Sequence, residues 1–295
     1  MFSRWGKVSL SGRSVMTLLF VIFTSLAFFF VYALIGWNIL LSFTKSSGLS
    51  ITYEFAGLQQ YLKAINDPVF YTSLRNNALL IILFIPGTMG IGLLLAMLMN
   101  MISDRFEGIF RTVFLLPFSL SFVVTAAMWA WMYNYSFGVL NSALSTITGV
   151  RINWLGDPGI ALYSVTIALI WQFSGYTALI FLAGIKSIPE AQLEAAKVDG
   201  ASTLQVYGSI ILPQLKPWFL SSFVVLMVFA LKAFDFIFVL TNGGPGVSTY
   251  VLALLMYRRA FFETDFPYGA ALATILLLVV VAVVAPYLIV SLRKR

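Results

Sequence analysis

Six stretches of this chain run apolar for roughly twenty residues or more, and no other feature restricts its fold so severely. They cover residues 15–41, 74–99, 110–133, 160–183, 218–240 and 269–292. A helix needs about 20 apolar residues to cross the ~30 Å hydrocarbon core of a bilayer. Inside that core every backbone N–H and C=O must be paired within the protein, which leaves helices or closed barrels. Barrel strands alternate apolar and polar residues; these runs do not. The expected fold is therefore an all-α membrane protein with six transmembrane helices in a single domain, residues 1–295. Charged residues make up only 10% of the chain, against about 25% in soluble proteins.

The same composition narrows the chemistry. There is no His and no Cys, so the commonest general base, the commonest metal ligand and all thiol chemistry are missing. No catalytic or metal-ligating set is expected. The net charge of +7 reads as basic anchoring at the cytoplasmic face and not as nucleic-acid binding. With the N-terminus inside, the inner segments hold eleven Lys and Arg residues and the outer ones six, leaving Lys232 within a span. Both termini are thus expected in the cytoplasm. The first run follows Arg4, Lys7 and Arg13, but it exceeds the 7–15 apolar residues of a signal peptide and is read as a retained helix.

The inner loop over residues 184–217 has an ordered helix grammar. Ser187 to Glu190 and Ser202 to Gln205 both have the spacing of a capping box. Gly200 is a helix stop, and Pro213 is expected to end the second helix. The result is a short helix–turn–helix. Glu190 and Glu194 are spaced i,i+4 on one face beside the small Ala195 and Ala196. Such a helix can plug a basic socket in another protein or pack on its own bundle.

These residues carry a resemblance. Glu194-Ala-Ala-Lys-Val-Asp-Gly-Ala201, followed by Ile210-Ile-Leu-Pro213, is similar to the cytoplasmic EAA signature of permease subunits in binding-protein-dependent ABC importers. Leu115-Leu-Pro117, Gly138-Val-Leu-Asn141, Trp154-Leu-Gly-Asp157 and Leu240-Thr-Asn-Gly-Gly-Pro245 resemble the maltose-permease-like, sugar-uptake branch. The resemblance covers about residues 15–292. It implies an inner-membrane half-channel that pairs with a second permease subunit, usually a different chain. Two ATPase subunits would receive the EAA helix through Glu190, Glu194, Ala195, Ala196, Asp199, Gly200 and Pro213. An extracytoplasmic solute-binding protein would deliver a sugar beside Asn242, Gly243 and Gly244. The chain has no G-x-x-x-x-G-K-[ST] phosphate loop, so ATP and Mg would belong to the ATPase, with no cofactor on this chain and no enzymatic role for it.

Charges inside a span are costly and mark pathways or partners. Only Lys232 and Asp235 lie more than two residues from a span end. At i,i+3 on a continuous fifth helix they are expected to pair. A stripe of Phe229, Ala230 and Ala233 on that helix faces, by the same resemblance, a fourth-span stripe of Gln172, Phe173 and Tyr176 along the substrate path. The competing reading, an ion-gradient-driven secondary transporter, would need a richer supply of membrane carboxylates and broken helices.

Overall fold

The computed structural model describes residues 12–45 and 54–293; the predicted basic anchors Arg4, Lys7, Lys294 and Arg295 lie outside them. Helix follows helix: α1 (Gly12–Leu41), α2 (Gln59–Asn66), α3 (Pro68–Asn100), α4 (Asp104–Ser119), α5 (Phe122–Met132), α6 (Val139–Thr148) and α7 (Ala161–Lys186). Then come α8 (Glu190–Val198), α9 (Thr203–Val206), a π turn (Tyr207–Ile211), α10 (Leu212–Gln214), α11 (Lys216–Leu231) and α12 (Asp235–Thr241). The last elements are α13 (Leu252–Tyr257), a second π turn (Arg258–Phe262) and α14 (Phe266–Arg293). Among the described residues the only β pairing is an isolated bridge between Thr44 and Phe55.

Four helices, α1, α3, α7 and α14, are individually long and apolar enough to cross a bilayer, and the number rises to as many as six when each of two bent pairs, 104–119 with 122–132 and 203–214 with 216–231, is taken as one span. The bent pairs depart from the expected straight helices. The predicted span 110–133 is broken at Ser119–Ser121, where α4 and α5 meet at 95°. The span 218–240 is also discontinuous: α11 stops at Leu231 and a new helix starts at Asp235. At 1.5 Å per residue a 16-residue α11 rises about 24 Å, short of the hydrocarbon thickness.

The centre is the parallel pair α3 and α7, whose contacts advance together from Gly87 against Ile170 to Gly92 against Thr177, and on it α4, α5, α11 and α12 pack. Leu80, Phe84, Leu169, Phe173, Leu226 and Phe236 fill it. Helix association in lipid depends on close backbone approach through small residues, and two glycines of this core supply it. A Cβ on Gly92 of α3 would overlap Thr177 of α7, and one on Gly175 of α7 would overlap the carbonyl oxygen of Phe114 in α4. The hydroxyl of Thr177 donates to the Thr88 carbonyl at 3.1 Å, stitching α3 to α7. Helix α1 stands apart: its apolar window is wholly unburied. It touches α14 near its end, where Asn38 Nδ2 donates to Ala270 O and Thr274 Oγ1, each at 3.2 Å.

At the end opposite the 184–217 loop, polar side chains of α3 organise the chain. Asn76 Nδ2 donates to the carbonyls of Ser248 and Tyr250, both at 2.9 Å, and Asn77 Oδ1 accepts from the Leu252 amide at 2.8 Å. The region 250–262 is drawn inward, and Leu252, Ala253, Leu254 and Leu255 are all buried. Beside it, Asp67 caps α3 by accepting from Val69 N at 2.9 Å. It also takes Tyr268 Oη at 2.9 Å and Arg259 Nη2 at 2.8 Å. Burial pushes this carboxyl up, but the Val69 amide, the Tyr268 hydroxyl and the Arg259 guanidinium outweigh it and hold it below its ordinary value.

Two outcomes follow. Gly175→Val should destabilise the detergent-solubilised chain by at least about 1–3 kcal/mol, the usual cost of overpacking. Gly90→Val, where nothing lies within 4 Å of the new Cβ, should cost less; equal losses of thermal midpoint would contradict the α4–α7 contact. Because the folded Asp67 pKa is depressed, its stabilisation is complete above the unfolded value of about 3.9. It is lost as pH falls through the lower folded value. Asp67→Asn should therefore flatten the fall in thermal midpoint below about pH 4, and an unaltered acid limb would show that Asp67 contributes nothing to it.

Candidate functional site

The two breaks face each other, because α12 packs on α5. Between them lies a cavity of about 370 Å³ lined by Phe118, Leu120, Ser121, Phe122, Val123, Phe229 and Asp235. A smaller recess of about 30 Å³ continues past Phe173, Ala230, Lys232 and Ala233. Irregular backbone at membrane depth is tolerated only where it is re-satisfied or lines a cavity, and this site does both. Pro117 cannot donate an intrahelical bond and sits in the last turn of α4. The amide of Leu120 turns back to Pro117 O at 3.3 Å, while its carbonyl accepts from Gln172 Nε2 of α7 at 3.3 Å. Ser121 then caps α5, accepting from Val124 N at 3.3 Å.

The second break has a different cause. It contains neither Pro nor Gly. Lys232 is the C-terminal cap of α11 and Asp235 the first residue of α12. A cation at a helix C-terminus and an anion at an N-terminus are each favourable with the helix dipole. The expected i,i+3 ion pair on one helix face is therefore corrected: among the described residues no ion pair joins Lys232 to Asp235, and both are exposed in the single chain.

Of the other predicted pathway residues, Phe229 and Ala233 are half-buried at the cavity, whereas Phe173 and Ala230 are 1% exposed and belong to the core. Gln172 is buried and its Nε2 donates to Leu120 O, so it supports the break. Tyr176 stacks on Phe118 with ring centroids 4.5 Å apart. Phe229 is 4.9 Å from Phe173 and 6.0 Å from Phe122. The cavity wall is thus a connected set of rings with one carboxylate, suited to the apolar faces and hydroxyls of a small polar molecule. Phe118, Leu120, Ser121 and Phe122 were missed. Pro117 was the available signal, read in the sequence as part of an unbroken helix.

The 184–217 loop carries the second group. Helix α8 ends in a Schellman arrangement: Gly200 has φ +81°, its amide reaches Lys197 O at 3.0 Å, and that of Ala201 reaches Ala196 O at 2.9 Å. Ser202 and Gln205 form the predicted capping box, with Ser202 N to Gln205 Oε1 at 2.7 Å and Gln205 N to Ser202 Oγ at 3.4 Å. The other predicted box is absent. Ser187 Oγ donates to Gly184 O at 2.7 Å and closes α7, while α8 starts at Glu190 after Pro189. Pro213 does not end a helix either; it lies in the first turn of α10, and the 63° bend falls at Leu215. Leu193, Ala196 and Ala201 pack on the bundle around Ile188, Val206 and Ile211. Glu190, Glu194, Ala195 and Asp199 are exposed, and Val198 and Leu204 are 87% and 85% exposed.

At the opposite end, Asn242 terminates α12 with φ 52° and accepts from Arg258 Nη2 at 2.6 Å. Gly243 has φ +88° and packs under Tyr250. Gly244 O accepts from Thr249 Oγ1 at 3.1 Å, closing the turn. Asn242 is exposed, and Gly243 is buried.

Replacing Lys232 by Met and Asp235 by Asn, singly and together, tests the helix-end account. Each single change should cost about 0.3–1 kcal/mol, and the double change should equal their sum within about 0.5 kcal/mol. A double variant more stable than either single one would restore the direct pair.

Residues 88–295 match the family model described as binding-protein-dependent transport system inner membrane component. A probable ABC transporter permease protein of Pyrococcus horikoshii is 58% identical over 261 residues, 88% of this chain and 89% of that one. The xylose/arabinose import permease protein of Haloferax volcanii is 47% identical over 260 residues, 88% of this chain and 82% of its own. The trehalose/maltose transport system permease protein of Thermococcus litoralis is 37% identical over 172 residues, 58% of each chain. The fold is also that of a bacterial ABC transporter involved in import of the acidic polysaccharide alginate, with TM-score 0.78 and 23% identity over 94% of this chain and 96% of that one.

Proposed function

Because this chain belongs to the family of binding-protein-dependent transport system inner membrane components, we propose that it is one half of the membrane channel of an ATP-driven sugar importer. The observation that carries the reading is the division of α8 into two faces. One face, Leu193 and Ala196, is held by the bundle. The other leaves Glu190, Glu194 and Ala195 exposed, with neither carboxylate in an ion pair among the described residues. The Schellman stop, the cap at Ser202 and a glutamine clasp, Gln192 to Gln214 at 2.9 Å, hold that face in one orientation, as presenting a charge to a partner requires. Two ATPase subunits, which bind ATP and Mg, are the partners whose cleft it enters, with Asp199, Gly200 and Pro213 shaping the loop.

A second permease subunit, a different chain, closes the cavity that Phe229, Ala233 and Asp235 leave open. The relatives named for xylose, arabinose, trehalose and maltose support a sugar as cargo. The rings at the break offer stacking surfaces, and Lys232 and Asp235 offer polar contacts. The turn at Asn242, Gly243 and Gly244 lies at the extracytoplasmic face, where a solute-binding protein docks, and both termini lie in the cytoplasm.

Glu194→Lys tests the peg. A hydrogen bond to a charged group is worth roughly 1.5–3 kcal/mol, so its loss with added repulsion should weaken ATPase retention at least about tenfold while membrane insertion is unchanged. Co-purification of the ATPase at full yield, with normal stimulation of hydrolysis by the binding protein, would remove the docking role.

A further inference from the structure

Glu107 is the one charged side chain among the described residues that is buried in this chain, at 3% exposure. It sits in the first turn of α4, away from the cavity and from the exposed face of α8. Its carboxylate pairs with Arg111 one turn on and with Lys186, the last residue of α7. Lys186 also lies 3.7 Å from Asp104. Ser187, the next residue, begins the loop that presents α8. Burying a carboxylate is costly unless it is paired, and the pairing here crosses from one helix to another at the root of that loop.

The same two helices meet twice more. Gly175 lies against the Phe114 carbonyl with no room for a side chain, and Gln172 holds the Leu120 carbonyl at the break. The three contacts advance along α4 as they retreat along α7, as in an antiparallel strut. One end of the strut is the root of the loop; the other is the cavity wall at Phe118, Leu120 and Phe122.

We infer that Glu107 is a positioning residue for coupling: it pins Lys186 to α4, so that a displacement of the α8 loop moves α4 and the α4–α5 break as one body. This rests on the importer reading above. With the pin removed, the loop still engages the ATPase, but its motion is absorbed at the α7 end and does not reach the break.

The test uses the whole importer in lipid nanodiscs with its ATPase and binding protein. The sugar is whichever of xylose, arabinose, trehalose and maltose stimulates the native complex most. Glu107→Gln should leave ATPase co-purification and basal hydrolysis unchanged. The ratio of stimulated to basal hydrolysis should fall at least about fivefold, the lower end of a typical coupling factor. If Glu107→Gln fails to accumulate, Lys186→Met carries the same expectation at a side chain that is 42% exposed. The chain contains no Cys, so Glu107→Cys with Lys186→Cys can be joined by a bifunctional thiol reagent. The joined pair should recover the native ratio and the unjoined pair should not. An unchanged ratio in the single variant, or no recovery on joining, overturns the pin. A native complex that neither retains the ATPase nor responds to the binding protein overturns the importer reading instead.

Discussion

The hydrogen bond from Gln172 to the carbonyl of Leu120 is small in itself, yet the arrangement of the cavity depends on it. A helix in a bilayer cannot open without leaving backbone groups that water is not there to satisfy. Pro117 removes a donor, Ser121 supplies a new cap, and the amide of Gln172 takes the stranded oxygen. With all three in place, α4 can turn through 95° and place Phe118 and Phe122 at the mouth of a cavity instead of in lipid. The opposite wall uses a different economy. Lys232 and Asp235 each sit at a helix end whose dipole suits them, and the open backbone between them becomes cavity wall.

Close packing makes these breaks tolerable. Gly92 and Gly175 let α3, α7 and α4 approach until backbone touches backbone. The resulting unit is stiff on both sides of the bends. Stiffness also connects places that are far apart: the root of the α8 loop and the α4–α5 break belong to one antiparallel pair. At the other end Asn76 and Asn77 do similar work in polar form, holding residues 248–252 by their main chain. That grip draws α13 inward and sets the turn at Asn242 on a fixed base.

Much of this was legible in the sequence. Runs of twenty apolar residues admit only membrane helices, because local hydrogen bonding is the sole way to satisfy a backbone in lipid. The helix stop at Gly200 and the cap formed by Ser202 and Gln205 were readable for the same reason, since both are local and complete within a few residues. The family signature around Glu194 was readable because its defining residues are contiguous. Ser187 misled: two helix ends compete for its hydroxyl, and only the path of α7 decides which one receives it.

What the tertiary structure decided are the features that need a second element. Whether Pro117 bends a helix or is absorbed by it depends on Gln172, fifty-five residues away. Whether Lys232 and Asp235 form a pair or terminate two helices depends on the room between α5 and α12. The burial of Glu107 depends on where α7 ends. The sequence by itself determined an all-helical membrane chain with an ordered loop, because hydropathy and capping act over one or a few turns. The breaks, the cavity and the strut came only with packing, because each is a balance between a freed or charged group on one helix and the partner that another helix brings to it.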